Sequence, residues 1–326
     1  MGNIRTRSVN IDSKIEKQIN PKDCMAINLF QINNYIYCGF SSSIYRPKYW
    51  KILLGYYSTN KFKSSIFYMK QRYSYSIYIK DLSSIKNQYF KIIENDVSRM
   101  CIEPIIINKK EKCGFLDTLH LKSGLTRRDI LIRILKCFVV HNKSVGYIQG
   151  MIMVLIPIYH VFIYSEDIED YRNSEEDAFF CFNFLASHLF EKFISEIDNE
   201  QNLLFLMSRV WKILKNVDYE LYRCCLNKKI IECHIYLKWI LFIFSTEFKM
   251  EDTQWLWDRI LSDSNRFEIV YYCVAAIFKI FKETIIKESY EIILEQLQNI
   301  SLLDVKKIFY IANELRSEII QFNVDI

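Results

Sequence analysis

A chain of 326 residues with 51% hydrophobic and 25% charged side chains is globular in composition, which excludes a disordered chain and leaves room for one large domain or two smaller ones. Its net charge is only +5, and the densest basic groups, Lys109-Lys110-Glu111-Lys112 and Arg127-Arg128, are short and interspersed with acids, which argues against a nucleic-acid partner. Ten cysteines form no CxxC pair and Glu232-Cys233-His234 stands alone, so free thiols in a reducing cytosol fit better than zinc or disulfides.

Residues 1–34 are polar and weakly patterned, and read as an N-terminal arm without a signal-peptide core. MGNIRT fits the pattern M-G-x-x-x-[ST], with Gly2 as the acceptor for N-myristoylation and Arg5 and Arg7 beside it to reinforce one acyl chain. A pattern this short also arises by chance, so an unmodified arm stands as the alternative. From Tyr35 onward helical patterns follow one another with short breaks. In IENDVSRM (93–100), Asp96 and Arg99 share one helix face, and an i,i+3 ion pair is the plain reading. Thr126-Arg-Arg-Asp129 is a capping-box start. After it Leu131, Ile134, Leu135, Phe138 and Val139 form one apolar face.

GYIQGM (146–151) then precedes the apolar run Met151–Tyr164. That run is shorter than the roughly 20 residues that span a bilayer, and Pro157 and His160 interrupt it, so it is a buried segment. Core packing does not explain Gln149 at its mouth. Ser174-Glu-Glu-Asp177 repeats the capping device before a face of Ala178, Cys181, Phe182, Leu185 and Leu189. None of the 7 glycines and 4 prolines falls beyond Pro157, so the second half reads as stacked helices. Helices are expected around 203–215, 229–247, 252–262, 266–286, 289–299 and 302–320. The fold class is all-α, and a boundary between two lobes falls near Asp198–Asn202.

No phosphate-binding GxxxxGK[ST] or GxGxxG loop occurs, nor an HExxH or GxSxG motif. The five histidines stand singly, and the carboxylates of Glu175-Glu176-Asp177 and Glu251-Asp252 fall at helix starts, where the helix dipole accounts for them. The chain has no evident active site of its own. Arg99 and Gln149 are the two polar residues left over.

Together, IxxDxxR and YxQGM resemble the paired signature of the TBC domain, the catalytic domain of Rab GTPase-activating proteins. RPKYWKILLGYY (46–57), with Gly39-Phe40 ahead of it, resembles the family's opening Arg-x-x-x-Trp helix. SEEDAFFCFNFL (174–185) and WLWDRILSDSNRFEIV (255–270) resemble two further family helices, in family order. The nearest branch is that of TBC domain family member 13-like proteins, to which DVSRMC, DAFFCF and EFKMEDTQWLWDRILSDSNRF are similar. The resemblance implies an all-α TBC domain of two helical lobes with a cleft over 35–322. It implies Arg99 as an arginine finger and Gln149 as a glutamine finger, acting in trans on a Rab-family GTPase in its GTP form.

Asp96, Tyr147 and Gly150 would support the fingers, while Arg46, Trp50, Trp257 and Asp258 would be framework. GTP and magnesium ion would belong to the partner, and this chain would hold no cofactor and no metal. The location implied is cytoplasmic, on trafficking compartments, with peripheral membrane contact through Gly2. Met100 after the arginine, the delayed Pro104, Ser98 before it and Ile152 after QGM depart from the family pattern. An all-α scaffold that binds a GTPase without accelerating hydrolysis is the alternative.

Overall fold

The computed structural model describes residues 13–19, 26–39, 42–99, 124–197, 200–232 and 234–321. Gly2, Phe40, Met100, Pro104, Lys109-Lys110-Glu111-Lys112 and Cys233 lie outside them. The described residues are predominantly helical, and no strand occurs among them. The chain divides into two compact units, Met1–Glu191 and Lys192–Ile326.

The first unit holds α1 (13–19), α2 (Leu29–Tyr37), α3 (Arg46–Leu53), α4 (Lys61–Leu82), α5 (Tyr89–Ser98), α6 (Arg127–His141), α7 (Met151–Ile163), α8 (Ile168–Arg172) and most of α9 (Ser174–Ile197). The second holds α10 (Glu200–Val217), α11 (Tyr219–Asn227), α12 (Leu237–Leu241), α13 (Met250–Ser262), α14 (Glu268–Ile280), α15 (Lys282–Lys287), α16 (Tyr290–Gln298) and α17 (Val305–Gln321). The division lies inside α9, ahead of the 198–202 stretch expected, because a continuous helix carries the chain across it and helix interiors show no linker composition.

Part of the segment read as an arm is folded. Ile15, Ile19, Ile32 and Ile36 are buried, two pairs at i,i+4 spacing on α1 and α2, and Asn28 caps α2 by accepting from the Gln31 N–H. A stripe this narrow, set among polar residues, leaves little periodic signal. The Thr126–Asp129 capping box is present in both directions, with Thr126 Oγ1 accepting from the Asp129 N–H at 3.1 Å and the Thr126 N–H donating to Asp129 Oδ2 at 3.2 Å. All of α7 but Met153 and His160 is buried, as a helix apolar on every side requires. No helix among the described residues is long and apolar enough to cross a membrane. Burial, with the Arg127 and Arg46 guanidinium groups, pushes the His160 pKa down to about 3, so the imidazole sits neutral beside α7's core.

Ser174–Asp177 is not a capping box. The helix already includes Ser174, and Asp177 is fully buried (0%). Its carboxylate accepts from Tyr56 Oη at 3.0 Å, Tyr68 Oη at 2.7 Å, Arg72 Nε at 3.0 Å and Arg72 Nη2 at 2.9 Å. Lys51 Nζ lies 2.9 Å from Asp177 Oδ2 and also pairs with Asp170. Glu175 likewise takes Arg133 through two bonds of 2.6 Å and Tyr75 Oη at 2.9 Å. The helix dipole does not account for these two acids: they join α9 to α3, α4, α6 and α8. Two carboxylates face two cations around Asp177, so the burial of charge is balanced.

In the second unit, the helix expected over 229–247 is broken. A 3-10 turn at Ile230–Glu232 and the short α12 replace it, and Ile243 and Phe244 take φ of 49° and 58°. Left-handed backbone costs a residue other than glycine roughly 1–2 kcal/mol. Burial of both side chains, the 2.8 Å bond from Trp257 Nε1 to the Ile243 carbonyl and stacking of Trp239 on Phe244 offset that cost. The helix expected over 266–286 breaks at Phe281 into α14 and α15. Sequence reading left out α11, although Asp218 caps it on the Leu221 N–H. Arg316 of α17 pairs with Asp263 at 2.6 Å, just past α13, and with Glu268 of α14 at 3.4 Å.

Burial works to raise the Asp177 pKa, but Lys51, Arg72 and Tyr68 outweigh it and hold the carboxyl below the usual range. A lowered folded pKa gives stability that is present above the unfolded value, about 3.9, and is lost as pH falls through the folded value. Asp177→Asn should therefore cost about 3–5 kcal/mol at neutral pH, the range for stranding buried partners, with the gap from wild type closing as pH drops below about 4. Urea unfolding across pH checks it, and a loss under about 1 kcal/mol at pH 7 contradicts it.

Candidate functional site

The site grows from α5 and the loop between α6 and α7. Ile93 and Val97, one turn apart, are fully buried (0%) and lay α5 against the core. That face places Asp96 half-buried and leaves Arg99 exposed as the C-cap of the helix. The Arg99 N–H closes the last turn on the Asn95 and Asp96 carbonyls at 3.2 and 3.3 Å.

The loop is built to hold Gln149 out. Asn142 ends α6, its side-chain amide donating to the Phe138 carbonyl at 2.9 Å and to Asn183 Oδ1 at 2.6 Å. Gly146 follows with φ 63°, and a Cβ there would meet Tyr89 Oη at 2.7 Å, so only glycine fits. Tyr147 is 9% exposed. Gly150 takes φ 93° as the N-cap of α7. Between them the Ile148 N–H reaches Met151 Sδ at 3.4 Å, and Gln149 is left exposed.

One carboxylate oxygen joins helix and loop. Asp96 Oδ2 accepts from Tyr147 Oη at 2.5 Å and from the Gly150 N–H at 2.9 Å. Gly150 N is bonded to the carbonyl carbon of Gln149, so this oxygen ties the peptide that follows Gln149 to the turn that ends in Arg99. The i,i+3 ion pair expected between Asp96 and Arg99 is absent among the described residues. Asp96 faces the loop, and no hydrogen bond or ion pair among the described residues engages the side chain of Arg99 or Gln149. Burial, then the bond to Asp96, raises the Tyr147 pKa well above its ordinary value, so the phenol remains a donor at physiological pH.

The structure thus joins Asp96, Tyr147 and Gly150 and leaves Arg99 and Gln149 exposed beside them. Trp50, Trp257 and Asp258 are buried, while Arg46 is half-buried. No cluster of three metal-ligating side chains occurs among the described residues. Tyr89, which closes on Gly146, was missed from sequence, because nothing local to it marks a contact so distant along the chain. What the arrangement can do is present a guanidinium and a primary amide, on backbone segments joined through Asp96, to an anionic, water-bearing partner.

The Rab-GTPase-TBC domain family model matches residues 43–286. Among curated proteins, the chain is 28% identical over 189 residues to TBC1 domain family member 13 of Homo sapiens, covering 58% of this chain and 47% of that protein. It is 32% identical over 157 residues to Rab GTPase-activating protein 22 of Arabidopsis thaliana, covering 47% and 26%. The chain thus matches half or less of the length of these relatives. Among solved structures, the Ypt/Rab-GAP domain of Gyp1p superposes with a TM-score of 0.77 at 18% identity, covering 97% of this chain and 99% of that one. That likeness shows the fold.

Tyr147→Phe removes one of the two bonds to Asp96 while keeping the ring packed. It should cost about 1.5–3 kcal/mol, the worth of a hydrogen bond to a charged acceptor. Urea denaturation checks it, and a loss under about 0.5 kcal/mol contradicts the clamp.

Proposed function

The chain belongs to the Rab-GTPase-TBC domain family, and on that footing we propose that it is a GTPase-activating protein for a Rab-type small GTPase, with Arg99 and Gln149 supplied in trans. GTP hydrolysis in such partners is slow because charge builds on the phosphates and the attacking water is poorly placed. The Arg99 guanidinium, always charged and presenting a planar fork of donors, meets the phosphate oxygens. The Gln149 side-chain carbonyl accepts a proton of the attacking water while its NH2 donates elsewhere. The nucleotide and its magnesium ion come with the partner.

The observation that carries this reading is the Asp96 clamp, which holds the stems of both residues through one oxygen at 2.5 and 2.9 Å. Catalysis by positioning needs such preorganisation, since a group that must first be ordered loses much of its effect. Relatives named as Rab GTPase-activating proteins support the partner class. On the same reading the domain spans about 35–322 and works in the cytoplasm on vesicle-trafficking membranes, with Gly2, when acylated, adding peripheral contact.

GTP hydrolysis by a panel of purified Rabs with catalytic amounts of the chain tests the proposal. Acceleration of one or a few members is expected, and Arg99→Ala should lower it by about 10³-fold or more. Gln149→Ala should lower it by roughly 10²–10³. Binding without acceleration across the panel would make the chain an all-α adaptor instead.

A further inference from the structure

The last turn of α5 carries one more contact, from the start of α6. Arg128 Nη1 donates to the Val97 carbonyl oxygen at 2.8 Å. Val97 lies two residues before Arg99 and is fully buried (0%). Its carbonyl is among the last four of α5, the group a helix end leaves to outside donors. A guanidinium suits that place twice over: it is always charged, and it faces the negative end of the helix dipole.

Arg128 is itself well fixed. It is the second residue of α6, inside the first turn that the Thr126–Asp129 capping box closes. Further along α6, Arg133 is held by Glu175 through paired 2.6 Å bonds. Lys136 reaches back to Glu94 of α5 at 2.5 Å, though Glu94 is 51% exposed, and such a pair contributes little. Arg128 thus makes a direct contact from α6 to the last turn of α5. Asp96 sets where the end of α5 stands against the glutamine loop, and Arg128 sets how its last turn is held.

Resting on the activator reading above, we propose that Arg128 is a positioning residue for Arg99, acting through the Val97 carbonyl on the backbone that carries the finger. It touches no reacting atom, so its loss acts on rate and leaves recognition of the GTPase intact.

The test compares wild type, Arg128→Ala and Arg128→Lys on a GTPase that the wild-type chain accelerates, reading kcat and KM. Hydrogen–deuterium exchange of residues 95–99 and melting of each variant are measured alongside. For Arg128→Ala the expected result is a roughly tenfold fall in kcat with KM held within about twofold, faster exchange at 95–99 and little change in melting. Arg128→Lys, which keeps the charge and reaches the same carbonyl with one donor, should fall between the two and preserves the test should the alanine variant fail to fold. Wild-type kcat in both variants, or unchanged exchange at 95–99, overturns the inference while leaving the activator reading standing. A fall in melting temperature with kcat unchanged makes Arg128 merely structural and overturns it too. A wild-type chain that accelerates no Rab overturns the activator reading, and this inference with it.

Discussion

A single oxygen, Asp96 Oδ2, is the constraint on which the candidate site depends. It accepts from the Tyr147 hydroxyl and the Gly150 N–H, so two segments far apart in sequence share one anchor. The residues of chemical interest, Arg99 and Gln149, each sit beside that anchor and are themselves exposed. The stems are thus hydrogen-bonded and the tips exposed, which suits the proposed encounter with a GTPase. The glycines belong to the same device: Gly146 lets Tyr89 close on the loop, and Gly150 turns the backbone so that its N–H faces the carboxylate.

The anchor works only if α5, α6 and the start of α7 hold still, and the buried ions of the first unit supply that frame. Asp177 and Glu175, both on the first turn of α9, collect cations and hydroxyls from α3, α4 and α6. Taking charge out of water is costly, and such groups add more to the uniqueness of the packing than to net stability when every lone pair is matched. Here the matching is close. The Tyr75 and Tyr68 pKa values are raised by burial and then by the neighbouring carboxylates, so these phenols donate hydrogen bonds and do not ionise. Arg133 belongs to both layers: it ties α6 to α9, and α6 in turn presents Arg128 to the end of α5.

Local devices were legible in the sequence and distant ones were not. The Thr126 capping box, the buried face of α6 and the all-round apolar α7 follow from neighbours within a few residues. Arg99 and Gln149 stood out because they carry a family motif and because packing alone gave them no role. On spacing alone Asp96 reads as an i,i+3 partner of Arg99, whereas its hydrogen-bond partners lie 51 and 54 residues away. Ser174–Asp177 has the spacing of a capping box, yet Asp177 answers to residues more than a hundred positions distant. At Ile243 and Phe244 a left-handed turn interrupts an expected helix with no glycine or proline to announce it, because tertiary burial and the Trp257 N–H carry its cost.

The central claim is that Asp96, through the Tyr147 hydroxyl and the Gly150 N–H, governs Arg99 and Gln149 together. Single-turnover GTP hydrolysis with Asp96→Ala, set beside the Arg99→Ala/Gln149→Ala double variant on the same GTPase, tests it most directly. If the claim holds, the Asp96 variant still binds the GTPase, is markedly slower than wild type, and loses little more when either finger is also removed. An Asp96 variant with the wild-type rate, or one whose loss simply multiplies with that of each finger, would show that the two side chains are placed independently of it.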